Sequence, residues 1–184
     1  KASKAARKMA KTYVKQGWTV APGQLPLEKQ LDRSYQLQYE RGDNMMPKYI
    51  IGNAMSPGKV YDAARMQALE LAKNDLAGQI QTEITRLIES TVANEQISQS
   101  DAESIARTVD ASKNLIVQNI GRVIPVVECY RPTKGKGVEV RVALAYNMET
   151  AFDSAKAVIK KQLEAKGEDL HEQLDAIWAN SGIL

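Results

Sequence analysis

The sequence predicts an α+β fold in which a small, three-stranded, mainly antiparallel sheet packs against long helices, with a helical extension at the N-terminus. Residues 138–146 alternate strictly between apolar and other residues, as a strand with one buried face does. Residues 59–93 carry apolar residues at helical spacing, and several of these are small enough to let the helix lie close to a sheet. The 184-residue length favours one domain with an extension.

Residues 1–47 are predicted to be a basic helical extension that wraps the domain or binds a partner. A first helix is expected at 3–16, where Gly17 ends it, and a second at 26–41. Between them, residues 18–20 form a short extended segment. The apolar stripe of the second helix consists of Leu27, Leu31, Tyr35 and Tyr39.

The remaining residues, 48–184, are predicted to form the α+β domain. Its expected elements are a strand at 48–55, helices at 59–93 and 100–120, strands at 122–131 and 137–146, and helices at 149–166 and 169–180. Two helices between the first and second strands reverse the chain twice. We therefore expect the second strand to run antiparallel to the first if each helix crosses the whole sheet. The single apolar face of the last strand predicts helices on one side of the sheet only.

Local signals refine these elements. Gly52 inside the first strand indicates a bulge or a close helix crossing, and Pro125 places the second strand at an edge or a bulge. Ser100 and Glu103 have the spacing of a capping box, which would open the 100–120 helix. Asp169 is expected to cap the last helix.

Positive charge is concentrated near the N-terminus, although the chain as a whole carries only +3. Residues 1–48 hold ten Lys or Arg against four Asp or Glu, whereas residues 49–184 hold fifteen against eighteen. The candidate contacts to an anionic surface, either a membrane or a polyanion, are Lys1, Lys4, Arg7, Lys8, Lys11 and Lys15. The alternative interpretation is a solvated helix face that keeps the chain soluble.

Composition makes several classes of site improbable. One Cys and one His exclude a multi-cysteine zinc site, a disulfide framework and a poly-histidine metal centre. The common phosphate-loop, dinucleotide, zinc-protease, serine-hydrolase and calcium-loop motifs do not occur, so we expect no cofactor. Cys129 lies between apolar neighbours and is expected to be a small buried residue rather than a reactive thiol.

His171 is the only candidate imidazole base. Glu168 and Asp175 lie within one helical turn of it and would be its carboxylate partners. Leu174 and Trp178 share its helix face, so we expect the ring to pack beside them and to have a structural role.

Aromatic residues alternate with basic ones at Lys11, Tyr13, Lys15 and Trp18, a combination used for stacking on single-stranded nucleic acid. One Tyr and one Trp on a short arm make a weak signal. Nucleic acid is therefore not the expected partner. The same residues also suit a helix that lies on a membrane surface.

A set of residues in the central part of the chain resembles a known family. They are Tyr49-Ile-Ile-Gly-Asn-Ala54, Ala63-Ala-Arg65, Ala68, Ala72, Leu76-Ala77, Ile80, Ile120-Gly-Arg-Val123 and the 138–146 strand. Residues 48–147 thereby resemble the small bacterial envelope lipoproteins of the LPP-twenty type. The whole chain, including Trp18–Gly23 and Pro26–Leu31, resembles still more a group of uncharacterised exported proteins of Bacteroidales. The resemblance implies an exported α+β protein of the periplasm or outer membrane, with no known catalytic residues.

These observations predict a non-enzymatic cell-envelope protein that acts as an interaction or structural module, with a protein or a second copy of itself as partner. An exposed sheet edge and the amphipathic first and last helices would supply its surfaces. One alternative is anionic-surface binding through residues 1–16. The other is an enzyme of unrecognised class, which would need His171 beside a carboxylate in a substrate-sized pocket. The chain begins with Lys, so we expect any signal segment to lie outside it.

Overall fold

The computed structural model describes residues 1–182 and confirms the α+β fold, with seven helices and three strands in that part of the chain. The helices are α1 (Lys4–Lys15), α2 (Leu27–Tyr39), α3 (Tyr61–Ala93), α4 (Gln99–Ala111), α5 (Lys113–Gln118), α6 (Met148–Ala165) and α7 (His171–Ala179). The strands are β1 (Tyr49–Gly58), β2 (Ile124–Pro132) and β3 (Val138–Asn147). In residues 1–182 no helix combines the length and the hydropathy needed to cross a bilayer.

The three strands are arranged in the order β1-β3-β2, and β3 is antiparallel to both of its neighbours. Ala145 of β3 lies opposite Ile51 on one side and Ile124 on the other. The first and second strands of the chain therefore run parallel to each other across β3. The prediction that the second strand would run antiparallel to the first is wrong.

The length of α3 explains this strand direction. Its 33 residues span about 50 Å, whereas the ten residues of β1 span about 33 Å. The part of α3 up to Gln79 lies along the sheet, and Gln79 Nε2 donates to the Ile51 carbonyl. The rest of the helix projects past the sheet, so α4 and α5 run back only along this projecting part of α3. The chain consequently re-enters the sheet at the end where β1 began.

Helix α3 packs on one face of the sheet through small residues. Ala64, Ala68 and Ala72 are fully buried there. The approach is closest at Gly52, where an added Cβ would lie 2.5 Å from the Ala72 carbonyl oxygen. The predicted close helix crossing at Gly52 is thus confirmed. Helices α6 and α7 pack beside α3 in the same hydrophobic core.

The opposite face of the sheet is covered by α1 and α2, so the prediction of a sheet covered on one side is wrong. Ala143 and Ala145 of β3 are 3% and 0% exposed beneath the N-terminal helices, in a second apolar cluster that includes Trp18. Alanine fits either a buried or an exposed face, which is why the alternation pattern did not reveal this second layer. Pro125 lies, as predicted, on an edge strand at a register shift.

Two predicted helix caps are wrong. Helix α4 is capped by Ser98, whose hydroxyl accepts from the Asp101 N–H, rather than by Ser100. Buried Ile97, just before this cap, fixes where the helix enters the core. The N-cap position of α7 is held by Leu170, which packs against the core, and Asp169 makes no cap.

The helix predicted over 100–120 is divided at Ser112 into α4 and α5. The Ser112 hydroxyl donates to the Thr108 carbonyl at 2.5 Å. A serine that bonds back to the preceding turn competes with the backbone ladder, which is a recognised cause of a helix bend.

Candidate functional site

The first candidate site is built on α1, and the start of this helix is firmly anchored. The Ser3 hydroxyl accepts from the Ala6 N–H, and the Ser3 N–H donates to the Asp32 carboxylate on α2 at 2.8 Å. This bond from Ser3 holds the pKa of Asp32 below its usual value. Ala6 and Ala10 are buried against the body of the protein. The opposite side of the helix is therefore held toward solvent.

Five basic residues form one exposed face of α1, which we call the basic face. Their spacing of three and four residues places them on the same side of the helix. They are Lys4, Arg7, Lys8, Lys11 and Lys15, and all are exposed. None of the ion pairs within residues 1–182 includes a member of this face. Lys1, the sixth predicted contact, is exposed but precedes the helix.

A groove runs along the basic face between α1 and the beginning of α2, with a volume of about 730 Å³. Its floor includes Val14, Pro26 and Leu27, and Glu28 is its one acidic lining residue. Val14 is 63% exposed and the nearby Leu25 is 54% exposed. Exposed apolar side chains thus lie beside a face of uncompensated positive charge.

The second candidate site lies on the other side of α1, where α1 and α2 leave part of the sheet uncovered. This cavity, which we call the tyrosine cleft, has a volume of about 450 Å³, and its floor is formed by β1 and β3. Its aromatic lining consists of Tyr13, Tyr35, Tyr39 and Tyr49. Its polar lining includes the amides Gln38, Asn53 and Gln79, and its two charged lining residues are Arg41 and Arg141.

Of the two charged residues that line the tyrosine cleft, Arg141 lies on the sheet floor and is partly buried, whereas Arg41 follows α2 and is exposed. The guanidinium carbon of Arg141 lies 4.4 Å from the ring centre of Tyr13 and 5.2 Å from that of Trp18. Within residues 1–182 it forms no ion pair. Arg131 also contacts Trp18, but it is bound by Glu139 at 2.8 Å and donates to the Gln16 carbonyl. Two arginines thus contact the Trp18 indole, and Arg141 is the one that has no ion pair within residues 1–182.

The structure does not present Tyr13 and Trp18 as a pair of exposed rings, which the stacking on nucleic acid suggested by their position in a basic segment would need. Trp18 is 2% exposed and Tyr13 is only partly exposed. Burial raises the pKa of Tyr13, while the neighbouring Arg141 acts in the opposite direction. Both rings belong to the packing between α1 and the sheet.

Both outer edges of the sheet are partly closed by other elements. On β1, the Asn53 N–H donates to Asp75 and the Ile51 carbonyl accepts from Gln79, both on α3. On β2, the Glu128 N–H donates to the Gln30 amide, and Tyr130 bridges to the backbone of Thr19. A sheet edge binds an added strand through free backbone N–H and carbonyl groups. These contacts therefore reduce the part of each edge that was expected to serve for strand addition.

His171 lies at the start of α7, where its side chain is 44% exposed and its Nε2 lies 3.3 Å from Glu164 Oε1. His171 lines a narrow cleft together with Leu174, one of the two residues expected beside its ring. Trp178, the other, is buried, and its indole N–H donates to the Phe152 carbonyl. Asp175, one of the predicted partners of His171, pairs with Lys156. The cleft beside His171 is too narrow to admit a water molecule. His171 therefore does not lie in a substrate-sized cavity.

A polar contact that the sequence did not reveal joins α3 to β2. The Tyr61 hydroxyl donates to one Glu128 oxygen at 2.5 Å, and Arg65 Nε lies 2.7 Å from the other. Burial and the adjacent Glu128 carboxylate raise the pKa of Tyr61. The Tyr61 ring also meets Tyr130 edge-on at 5.3 Å. These contacts fasten the first turn of α3 to the edge strand.

Residues 1–182 contain no group of three or more His, Cys, Asp and Glu side chains that could hold a metal ion. No protein-family model, curated protein or solved structure matches this chain. The resemblance to envelope lipoproteins therefore stays a prediction, and the functional argument depends on the basic face and the tyrosine cleft. The basic face was predicted from sequence. The tyrosine cleft joins residues more than a hundred positions apart, and its one signal in the sequence was Arg141, which shares a strand face with alanines.

Proposed function

We propose that this protein is a non-enzymatic binding module of the cell envelope that associates with an anionic membrane surface through the basic face. The observation that carries the proposal is the set of five exposed cations along one side of α1, none of which is paired to a carboxylate within residues 1–182. A surface bearing phosphate groups would supply the missing negative charge.

The expected attraction is electrostatic and sensitive to salt. Each Lys or Arg close to an anionic membrane contributes about 1 kcal/mol, so five would contribute about 5 kcal/mol at low ionic strength. The attraction falls off over a screening length of about 8 Å in physiological salt. Because α1 is fixed to the body of the protein through Ala6 and Ala10, its cations are already aligned before contact.

Exposed apolar residues favour a membrane over a soluble polyanion. Val14 lies among the cations, and exposed Leu25 immediately precedes Pro26, which lines the same groove. A helix that rests on a membrane combines a basic face with apolar side chains that enter the headgroup region. Recognition of single-stranded nucleic acid would require exposed aromatic rings, and Trp18 is buried.

Matched charge variants test the proposal. Lys8→Gln, Lys11→Gln and Lys15→Gln together remove three charges from the basic face. Lys59→Gln, Lys134→Gln and Lys136→Gln remove the same charge from exposed sites elsewhere. We expect the first variant to bind phosphatidylglycerol vesicles about a hundredfold more weakly than the unaltered protein, and the second to bind almost normally. Co-sedimentation with vesicles at increasing salt measures both.

Equal weakening by the two variants, or equal binding to neutral phosphatidylcholine vesicles, would overturn the proposal. Binding to polyphosphate without binding to vesicles would assign the basic face to a soluble polyanion instead. Deleting residues 1–16 is a less informative test, because Ala2, Ala6 and Ala10 are buried and their loss would expose the cluster beneath them.

A further inference from the structure

The tyrosine cleft is separate from the basic face and requires its own explanation. It opens on the side of α1 that carries Met9 and Tyr13, whereas the basic face lies toward the beginning of α2. We propose that the tyrosine cleft binds a small molecule with a flat aromatic body and one carboxylate or phosphate group. This inference does not depend on membrane association by α1.

The anionic group is inferred from Arg141. This guanidinium is partly buried on the central strand of the sheet, and within residues 1–182 no carboxylate pairs with it. The face of the Tyr13 ring contacts the guanidinium but offers it no hydrogen-bond acceptor, whereas a carboxylate or phosphate binds a guanidinium through two parallel hydrogen bonds. Glu139 is such an acceptor for Arg131, at 2.8 Å. An anionic ligand would be the acceptor for Arg141.

The flat aromatic body is inferred from the lining. Tyr35, Tyr39 and Tyr49 line the same cavity as Tyr13, and aromatic rings favour offset or edge contacts with another aromatic ring. Gln38 and Asn53 offer amide groups that could orient polar substituents. The volume of about 450 Å³ falls in the range of small-molecule sites.

A titration with paired compounds tests both parts of the inference. Indole-3-acetate and phenyl phosphate carry an anion on an aromatic body, and they distinguish a carboxylate ligand from a phosphate ligand. Indole-3-acetamide keeps the ring without the charge, while acetate and inorganic phosphate keep the charge without the ring. We expect one of the aromatic anions to bind at least about tenfold more tightly than the amide and the free anions. Its binding should shift the NMR signal of the Arg141 side-chain Nε–H.

Two variants complete the test. Arg141→Met should abolish the preference for the charged compound, whereas Arg107→Met, which removes an exposed arginine from α4, should keep it. Arg141→Lys retains the positive charge and should keep a reduced preference, which covers the case in which Arg141→Met fails to fold. The inference would be refuted if indole-3-acetate bound no more tightly than indole-3-acetamide and phenyl phosphate showed no preference either. It would also be refuted if none of the compounds bound. Binding of free phosphate as tight as phenyl phosphate would refute the aromatic part.

Discussion

Cys129 shows how position in the fold determines the chemistry of a single residue. Its side chain is fully buried beneath the N-terminal helices, and burial raises the pKa of the thiol to about 12, although Arg141 nearby acts in the opposite direction. The thiolate is the reactive form of cysteine. The sequence-based prediction of a buried residue is confirmed, and the raised pKa supports the prediction that this thiol is unreactive.

The dependence of stability on alkaline pH tests whether folding protects the Cys129 thiol from ionisation. The folded thiol keeps its proton up to about pH 12, whereas the unfolded thiol loses it near its ordinary pKa of 9. The contribution of this thiol to the free energy of unfolding should therefore stay level below pH 9 and fall between pH 9 and 12. The raised pKa values of Tyr13 and Tyr61 act in the same direction.

Urea unfolding of the protein and of Cys129→Ala across this pH range measures the effect. The variant should lose stability less steeply above pH 9, even if its stability at neutral pH is lower. Identical slopes for the two proteins would mean that the thiol is not protected by folding.

Helix α3 has the most closely constrained packing of the elements, because it can approach the sheet only where the side chains between them are small. An added Cβ at Gly52 would meet the Ala72 carbonyl oxygen at 2.5 Å and Leu76 Cγ at 2.6 Å. The backbone oxygen cannot rotate away, so the helix would have to move. Gly52→Ala should lower the free energy of unfolding by about 1–3 kcal/mol, as overpacking in cores does.

Gly135→Ala is the matched control for this substitution. It lies in the β2–β3 loop, and nothing lies within 4 Å of its added Cβ. Chemical denaturation should show little change for this variant. A comparable loss in both variants would indicate that backbone flexibility, rather than the crossing with α3, is the reason for glycine at position 52.

The elements that sequence predicted best are those with long periodic patterns. The spacing of apolar residues in α3 and the alternation in β3 are local signals, and both elements formed within a few residues of their expected bounds. The direction of β2 could not be predicted in this way, because it depends on how far α3 projects past the sheet. The start of α4 was predicted at Ser100 from the capping-box spacing, but the helix is capped by Ser98, next to buried Ile97.

At the scale of the whole molecule, the sheet forms a middle layer between two sets of helices. One set contains α3 and the C-terminal helices, and the other contains α1 and α2. The basic face was predictable because its residues are close in sequence. The tyrosine cleft was not, because it exists only where the N-terminal helices rest on β1 and β3. Both candidate sites therefore depend on the same N-terminal layer.

Removing residues 1–47 tests how far the rest of the protein depends on this layer. The second apolar cluster would lose Trp18, Leu27 and Leu31, which would leave Val127 and Ala145 of the sheet exposed. We expect the shortened chain to keep the helical circular dichroism of α3 but to bind a hydrophobic dye and to lose hydrogen-exchange protection in β2. The N-terminal helices contribute apolar burial, so its urea midpoint should also fall.

Trp18→Ala gives a graded comparison, because it removes one buried ring and leaves α1 and α2 in the chain. Its midpoint should lie between those of the full and the shortened proteins, since loss of a buried tryptophan costs about 3–5 kcal/mol. A shortened chain that unfolds at the same urea concentration as the full protein, without dye binding, would show that residues 48–184 are an independent domain. The N-terminal layer would then be an extension in the sense that the sequence predicted.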